Sequence, residues 1–144
     1  MKDLAIELSI SFSEISESLN RSMIAGLISM DKKNLNVASL LEFLQFGVRY
    51  VYPQKPGPLS RGIKTAHSAA PLCDIIASGE ALVWPYGAGD TRGQTIEPLH
   101  PRIPEACLRD NKFYELMALV DAIRVGRARE RNMAVELLKG RVAI

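Results

Sequence analysis

The chain has 144 residues, of which 47% are apolar, so it can bury a hydrophobic core and is not a disordered segment. Its 18 basic and 16 acidic residues give a net charge of +2, which excludes nucleic-acid binding by bulk charge alone and requires any basic surface to be local. No apolar run reaches the roughly 18 residues that cross a bilayer, which argues against insertion into a membrane.

The amino end and the two cysteines indicate the compartment. The first residues lack the basic stretch and apolar core of a secretory signal. Cys73 and Cys107 have neither the spacing of a zinc site nor the density of a disulfide-stabilised fold. We therefore expect a cytoplasmic protein with reduced thiols.

Residues 2 to 28 show two helical patterns separated by a short break at residues 9 to 11. Ser11 is placed as an N-cap, with Glu14 three residues later, which is typical of a helix start. Ala5 is a small residue where two crossing helices would touch. Apolar side chains suited to a shared core follow at Leu4, Leu8, Ile10, Ile15 and Leu19. The segment predicts a helix, a tight turn and a second helix.

This helix-turn-helix segment, LAIELSISFSEISESLNRSMIAGLI, resembles the reading head of winged-helix and phage-repressor-type bacterial transcription regulators. The resemblance implies that the second helix lies in the major groove of double-stranded DNA, where its side chains meet base edges and phosphates. It also implies that residues 25 to 27 lead into the first strand of a wing. The DNA-binding positions that it implies are Ser11, Phe12, Ser13, Ser16, Glu17, Asn20 and Arg21.

The chain departs from the family at three points. Ser9 stands in the turn where the family usually has glycine, and Glu14 and Glu17 against Arg21 leave the second helix with a net negative charge. The family also has a preceding helix, so either the start lies upstream of Met1 or another element covers that face. The alternative to a reading head is a helical hairpin that simply packs on a core.

The rest of the chain predicts a mostly helical α+β fold. The nearly all-round apolar pattern of residues 37 to 50 predicts a buried central helix. Prolines and glycines predict a loop from Pro53 to about Ala70, then a short helix around residues 71 to 78. Two β-rich runs around a glycine-rich turn at residues 87 to 93 predict a β-hairpin. Three helices follow, a short one, one ending at Gly126 and a last amphipathic one.

We expect a reading head at residues 1 to 30 and a partner or dimerisation region at residues 31 to 144.

Four arginines lie close together near the carboxyl end, at Arg124, Arg127, Arg129 and Arg131. They could contact phosphates or an acidic partner, or form an ordinary solvated helix face. The apolar stripe from Leu116 to Leu138 suits a core, the favoured interpretation, or a homodimer interface.

Two short strings, RGIKTAHS and DAIRVGRARER, resemble those of small bacterial regulators encoded beside nucleotidyltransferase-type toxins. That resemblance implies an antitoxin-like protein with a toxin as partner.

No pattern predicts an enzyme, a cofactor or a metal site. Ser68 beside His67 lacks a base reaching it from elsewhere, and sequence neighbours seldom point at one another. The glycines of YGAGDTRG do not have the spacing of a phosphate-binding loop. The sequence therefore predicts a dimeric, sequence-specific transcription regulator. The alternative is an antitoxin or adaptor that binds a partner protein, with DNA binding secondary or lost.

Overall fold

The computed structural model describes residues 2–76 and 79–142. The fold is α+β, with helices around a small three-stranded sheet. The helices of these ranges are α1 (Lys2–Leu8), α2 (Phe12–Ile24), α3 (Val37–Phe46), α4 (Val48–Val51), α5 (Ile103–Arg109), α6 (Asn111–Val125) and α7 (Ala128–Val142). The strands are β1 (Leu59–Lys64), β2 (Leu82–Pro85) and β3 (Thr91–Thr95), and single 3₁₀ turns lie at Ala66–Ser68 and Leu72–Asp74.

The two helices predicted at the amino end are confirmed, and local hydrogen bonds explain the turn between them. Ser9 has a φ of 55°, and its N–H donates to the Ile6 carbonyl at 3.3 Å, while the Ile10 N–H donates to the Ala5 carbonyl at 3.1 Å. This pair of bonds ends a helix with one left-handed residue, a position that glycine usually fills. The Ser11 hydroxyl then accepts the N–H of Glu14 at 3.2 Å, which starts α2.

The prediction of a buried central helix at residues 37 to 50 is wrong. The segment is divided at Gly47 into α3 and α4, α3 has no buried residue, and Val48 is the buried residue of α4. Its apolar residues lie nearly all round the helix, but Leu41, Phe43 and Leu44 are only partly buried against the core, and Phe46 is 65% exposed. The helix buried in the centre is α6, where residues 118 to 124 are all buried.

The loop predicted between Pro53 and Ala70 contains β1, and the predicted hairpin is also wrong. β1 pairs with β2 and with β3 in antiparallel fashion, whereas β2 and β3 run parallel to each other. The three strands close into a small barrel. Gly62 is the point where β1 passes from one partner to the other, opposite Pro85 on β2 and Thr91 on β3. Because these pairs join residues far apart in sequence, turn residues alone did not reveal them.

The core lies between the barrel, α6 and α7. Leu119 and Ile123 of α6 are fully buried, and Leu138 of α7 packs in the same cluster. The apolar stripe predicted at residues 116 to 138 therefore belongs to the core, so it gives no support to a dimer interface. No helix within the described ranges is long and apolar enough to span a membrane.

A second, smaller cluster joins β1 and β2 to α5 and contains Cys107. Burial raises the pKa of the Cys107 thiol from 9.0 to about 12, and burial also raises the pKa of Tyr114 from 10.0 to about 12. The folded protein thus holds two protons that the unfolded chain releases at lower pH.

The stability that Cys107 and Tyr114 contribute is therefore expected to be constant below pH 9.0 and to fall as the pH rises towards 12. Urea unfolding across this range measures the effect. The variant Cys107→Ala should lose less stability between pH 9.0 and 12 than the wild type, whereas Cys73→Ala, which removes an exposed thiol whose pKa is raised to a smaller degree, should stay closer to the wild type. An equal pH dependence in all three proteins would show that Cys107 does not contribute.

Candidate nucleic-acid interface

Helix α2 turns one face inward and leaves the opposite face open. Ile15 is buried and anchors the inner side, while Ser13, Glu17 and Asn20 are exposed and lie one helical turn apart on the outer side. We call this outer set the α2 row. It presents a hydroxyl, a carboxylate and an amide to solvent.

The other residues predicted to bind DNA lie around the α2 row. Ser11 and Phe12 are exposed at the start of α2, although the Ser11 hydroxyl is occupied as the helix cap. Ser16 is half-buried. Arg21 is exposed, and it forms no ion pair with another described residue. The structure therefore places all seven predicted residues on α2 or its cap.

A short two-stranded segment follows α2, and we call residues 27 to 36 the ribbon. Gly26 has a φ of 81° and reverses the chain after α2. Ile28 then bridges to Leu35 in antiparallel fashion. The Ser29 N–H donates to the Asn34 carbonyl at 2.8 Å, and the Asn36 N–H donates to the Leu27 carbonyl at 2.8 Å. This is the place where the family resemblance implies a wing.

The tip of the ribbon brings two lysines to α2. Lys32 Nζ donates to Asn20 Oδ1 at 2.5 Å, which places an ammonium group beside the α2 row. Lys33 is exposed next to it. The DNA-binding positions implied by the sequence include neither lysine, because both lie outside the segment that resembles a reading head. One sequence signal does point to these lysines. They lie together between the apolar residues Ile28 and Leu35, in the segment that follows Gly26 at the end of α2.

The ribbon changes the charge of the surface. The acidic residues of α2 exceed its basic ones by one, and the lysines of the ribbon offset this excess. Asp31 also lies at the tip, where hydrogen bonds from the Ser29 hydroxyl and the Lys33 N–H lower its pKa. Asp31 therefore organises the turn and stays charged, and Lys32 and Lys33 supply the positive charge of the tip.

The inner side of the helix pair is covered in part by α5 and the loop before it. Arg109 Nη2 donates to the Glu7 carbonyl at 2.7 Å, and His100 Nε2 lies 3.8 Å from Glu14 Oε2. The segment of α5 and the preceding loop therefore contacts the end of α1 and the start of α2. The outer side, which holds the α2 row and the ribbon tip, stays open.

The four arginines near the carboxyl end do not form one surface. Arg124 is buried, and its guanidinium donates to Asp121 Oδ1 at 2.8 Å, to the Tyr52 carbonyl at 3.1 Å and to the Glu97 carbonyl at 3.2 Å. Its donors are thus used inside the fold, so the interpretation of Arg124 as a phosphate or partner contact is wrong. Arg127 and Arg129 are exposed. Arg131 is half-buried and donates to the Gly126 carbonyl at 2.9 Å, and these three are the arginines available to a ligand.

Asp121 is the centre of a buried polar network. Besides Arg124, the Thr65 hydroxyl and the Trp84 indole N–H each donate to Asp121 Oδ2 at 2.7 Å. Burial raises the pKa of Asp121, and the hydrogen bond from Thr65 and the charge of Arg124 oppose that rise. The network ties α6 to β2 and to the residue that follows β1. It has a structural role, since neither charge reaches solvent.

Thr65 and Ser68, on either side of His67, are buried, and His67 itself is half-buried. The Ser68 hydroxyl accepts the Leu82 N–H at 2.9 Å. Burial lowers the pKa of His67, an effect that the nearby Glu130 opposes, and His67 Nδ1 has no hydrogen-bond partner among the residues that the structure describes. Within residues 2–76 and 79–142, no three His, Cys, Asp or Glu side chains are grouped as metal ligands would be.

A second surface feature lies at the end of α3 and on α4, facing α7. Phe46 and Tyr50 are 65% and 68% exposed, and the Arg49 guanidinium stacks 4.6 Å from the centre of the Tyr50 ring. Arg131 and Asn132 of α7 line the same shallow depression of about 220 Å³. We call these five residues the aromatic-arginine face. Tyr and Arg are the side chains most enriched at the energetic centres of protein interfaces.

Comparison of the chain with models of protein families, with curated proteins and with solved structures found no significant match.

Proposed function

We propose that the protein binds double-stranded DNA in a sequence-specific way and regulates transcription. The observation that supports this function best is the contact between Asn20 and Lys32, which joins the exposed α2 row to the basic tip of the ribbon. A helix that offers hydrogen-bonding side chains beside a flanking cationic turn suits a major groove and its adjacent phosphates.

The proposed contact residues differ in which part of the DNA their side chains can contact. Asn20 is suited to the adenine edge, and Arg21 to guanine or to a phosphate. Phe12 can contact a thymine methyl, and Ser13 can bond a base edge or a phosphate. Lys32 and Lys33 neutralise phosphates and contribute affinity without sequence preference.

We further propose that two copies bind one operator. One reading helix buries too little surface for a tight specific site, and two-fold proteins match palindromic operators. Light scattering with and without a two-half-site duplex measures the stoichiometry. Two chains per duplex are expected, and one chain per duplex would contradict the dimer.

The double change Asn20→Ala with Arg21→Ala is expected to weaken binding to the specific site by about 1–3 kcal/mol for each lost base contact. Fluorescence anisotropy with duplexes from the DNA flanking the gene measures the affinity. The matched control is Asn111→Ala with Arg92→Ala, which removes the same types of side chain from other exposed positions and should leave DNA affinity unchanged. Equal affinities of the folded variant and the wild type would contradict the assignment of α2.

The aromatic-arginine face supports a second candidate function, binding of an acidic partner protein by an antitoxin or adaptor. Exposed aromatic rings next to arginines would be buried by such a partner. The protein encoded beside this gene is the first partner to test, by calorimetry on the purified pair. Phe46→Ala with Tyr50→Ala should abolish that complex and leave DNA affinity unchanged. A complex that survives this change would exclude the face as the binding surface.

A further inference from the structure

A cleft of about 480 Å³ lies between the α1–α2 pair and the segment formed by α5 and the start of α6. Small-molecule sites typically have volumes of about 300–1,000 Å³, so the cleft has the size of a ligand site. Its apolar floor is formed by Leu8, Ile10, Ile15, Ile103 and Phe113. Its polar rim is formed by Glu14, Glu17, Ser18, Arg21, His100 and Arg102.

The rim holds both arginines and glutamates, and these side chains form only weak ion pairs or none. Arg102 lies 3.8 Å from Glu105, with both side chains about half exposed, so this ion pair adds little. Glu14 Oε2 lies 3.8 Å from His100 Nε2, at the outer limit of an ion pair, and Arg21 and Glu17 form no ion pair within the described part of the chain. Two guanidinium groups and two carboxylates therefore stand above an apolar floor.

This arrangement restricts the chemistry of the ligand. A purely anionic ligand would meet the carboxylates of Glu14 and Glu17, and a purely cationic one would meet Arg21 and Arg102. A zwitterion can satisfy both signs at once, and an apolar group attached to it would cover the floor.

We propose that the cleft binds a free α-amino acid with a large apolar side chain. Its carboxylate contacts Arg21 and Arg102, its ammonium group contacts Glu14 or Glu17, and its side chain packs on Ile15 and Phe113. Because Arg21 is also a proposed DNA contact, an occupied cleft would change DNA affinity. This last consequence rests on the proposed function, whereas the binding itself does not.

Calorimetry on the full chain without DNA tests the binding, with L-phenylalanine as the probe. Two analogues separate its charges: hydrocinnamate lacks the ammonium group, and phenethylamine lacks the carboxylate. Phenylalanine is expected to bind at one site per chain, and each analogue to bind about tenfold more weakly, since each loses a charge-assisted hydrogen bond. Absence of phenylalanine binding, or equal binding of hydrocinnamate, would overturn the proposal.

Variants locate the binding in the cleft. Arg102→Gln should weaken phenylalanine binding about tenfold by removing one charged donor. Ser18→Phe, which adds bulk at the exposed rim, should block it. Lys112→Gln, on α6 outside the cleft, is the control and should bind as the wild type does. Unchanged binding by both cleft variants would place the ligand elsewhere and overturn the assignment.

A separate titration of DNA with and without phenylalanine tests the regulatory consequence. The affinity should change for the wild type and not for Ser18→Phe. An unchanged affinity in a wild type that binds both ligands would show that the cleft does not regulate DNA binding. If the protein binds phenylalanine but no DNA, the proposed function fails while the ligand site stands.

Discussion

Replacing Asp121 by alanine is expected to destabilise the protein by about 3–5 kcal/mol, the usual cost of breaking a buried ion pair from one side. In the wild type, Arg124 Nη1 lies 2.8 Å from Asp121 Oδ1. The change removes this carboxylate and leaves the guanidinium buried without it. It also removes the acceptor of the Thr65 hydroxyl and the Trp84 indole, which are both buried. Urea unfolding followed by tryptophan fluorescence measures the loss.

Two further variants separate charge from packing. Asp121→Asn keeps the size of the side chain and an acceptor oxygen, so its loss should be smaller than that of Asp121→Ala. The double variant Asp121→Leu with Arg124→Met removes both charges, and it should be more stable than Asp121→Ala. If Asp121→Ala were as stable as the wild type, the network would not stabilise the fold.

The change Gly62→Ala is expected to cost about 3 kcal/mol, at the upper end of the penalties for overpacking. A Cβ at this position would lie 2.0 Å from the Trp84 carbonyl oxygen and 2.8 Å from its carbon. These are backbone atoms of the paired strand β2, so they cannot rotate away as a flexible side chain could. β1 would have to separate from β2, which would open the barrel.

Gly87→Ala is the matched control because its Cβ would meet no atom of the described residues within 4 Å. We expect its stability to lie within about 0.5 kcal/mol of the wild type. Thermal unfolding of the two variants side by side makes the comparison. Similar midpoints for both would mean that the close approach of β1 and β2 is absent in solution.

The elements that the sequence predicts correctly are those with local signals. Ser11 caps α2 through a bond to a residue three positions away, and Gly126 ends α6 at the predicted place. Caps and breakers act within one helical turn, so a single sequence contains the whole interaction.

The elements that the sequence predicts wrongly depend on contacts between residues that are far apart in the chain. β1 lies among prolines and glycines and becomes a strand because it pairs with both β2 and β3. Arg124 was grouped with surface arginines, yet its partners include the carbonyl of Tyr52, 72 residues away. No local pattern distinguishes a buried arginine with such partners from an exposed one.

The candidate site was predictable in part. The family resemblance includes Ser13, Glu17 and Asn20 among the DNA-binding positions, and all three are exposed on the outer side of α2, whereas Ser16 is half-buried. Lys32 and Lys33 could not be assigned in the same way, because their position depends on the reversal at Gly26 and on the bridge between residues 28 and 35.

The salt dependence of DNA binding tests the central proposal most directly. The affinity for the duplex flanking the gene is measured at several salt concentrations for the wild type, for Lys32→Gln with Lys33→Gln, and for the control Arg92→Gln with Lys112→Gln, which removes two charges from other surfaces. Each lost phosphate contact reduces the slope of log affinity against log salt by about 0.9, so the ribbon variant should lose nearly two units and the control none. A ribbon variant with the wild-type slope, or a folded wild type that binds no duplex, would contradict DNA recognition by α2 and the ribbon.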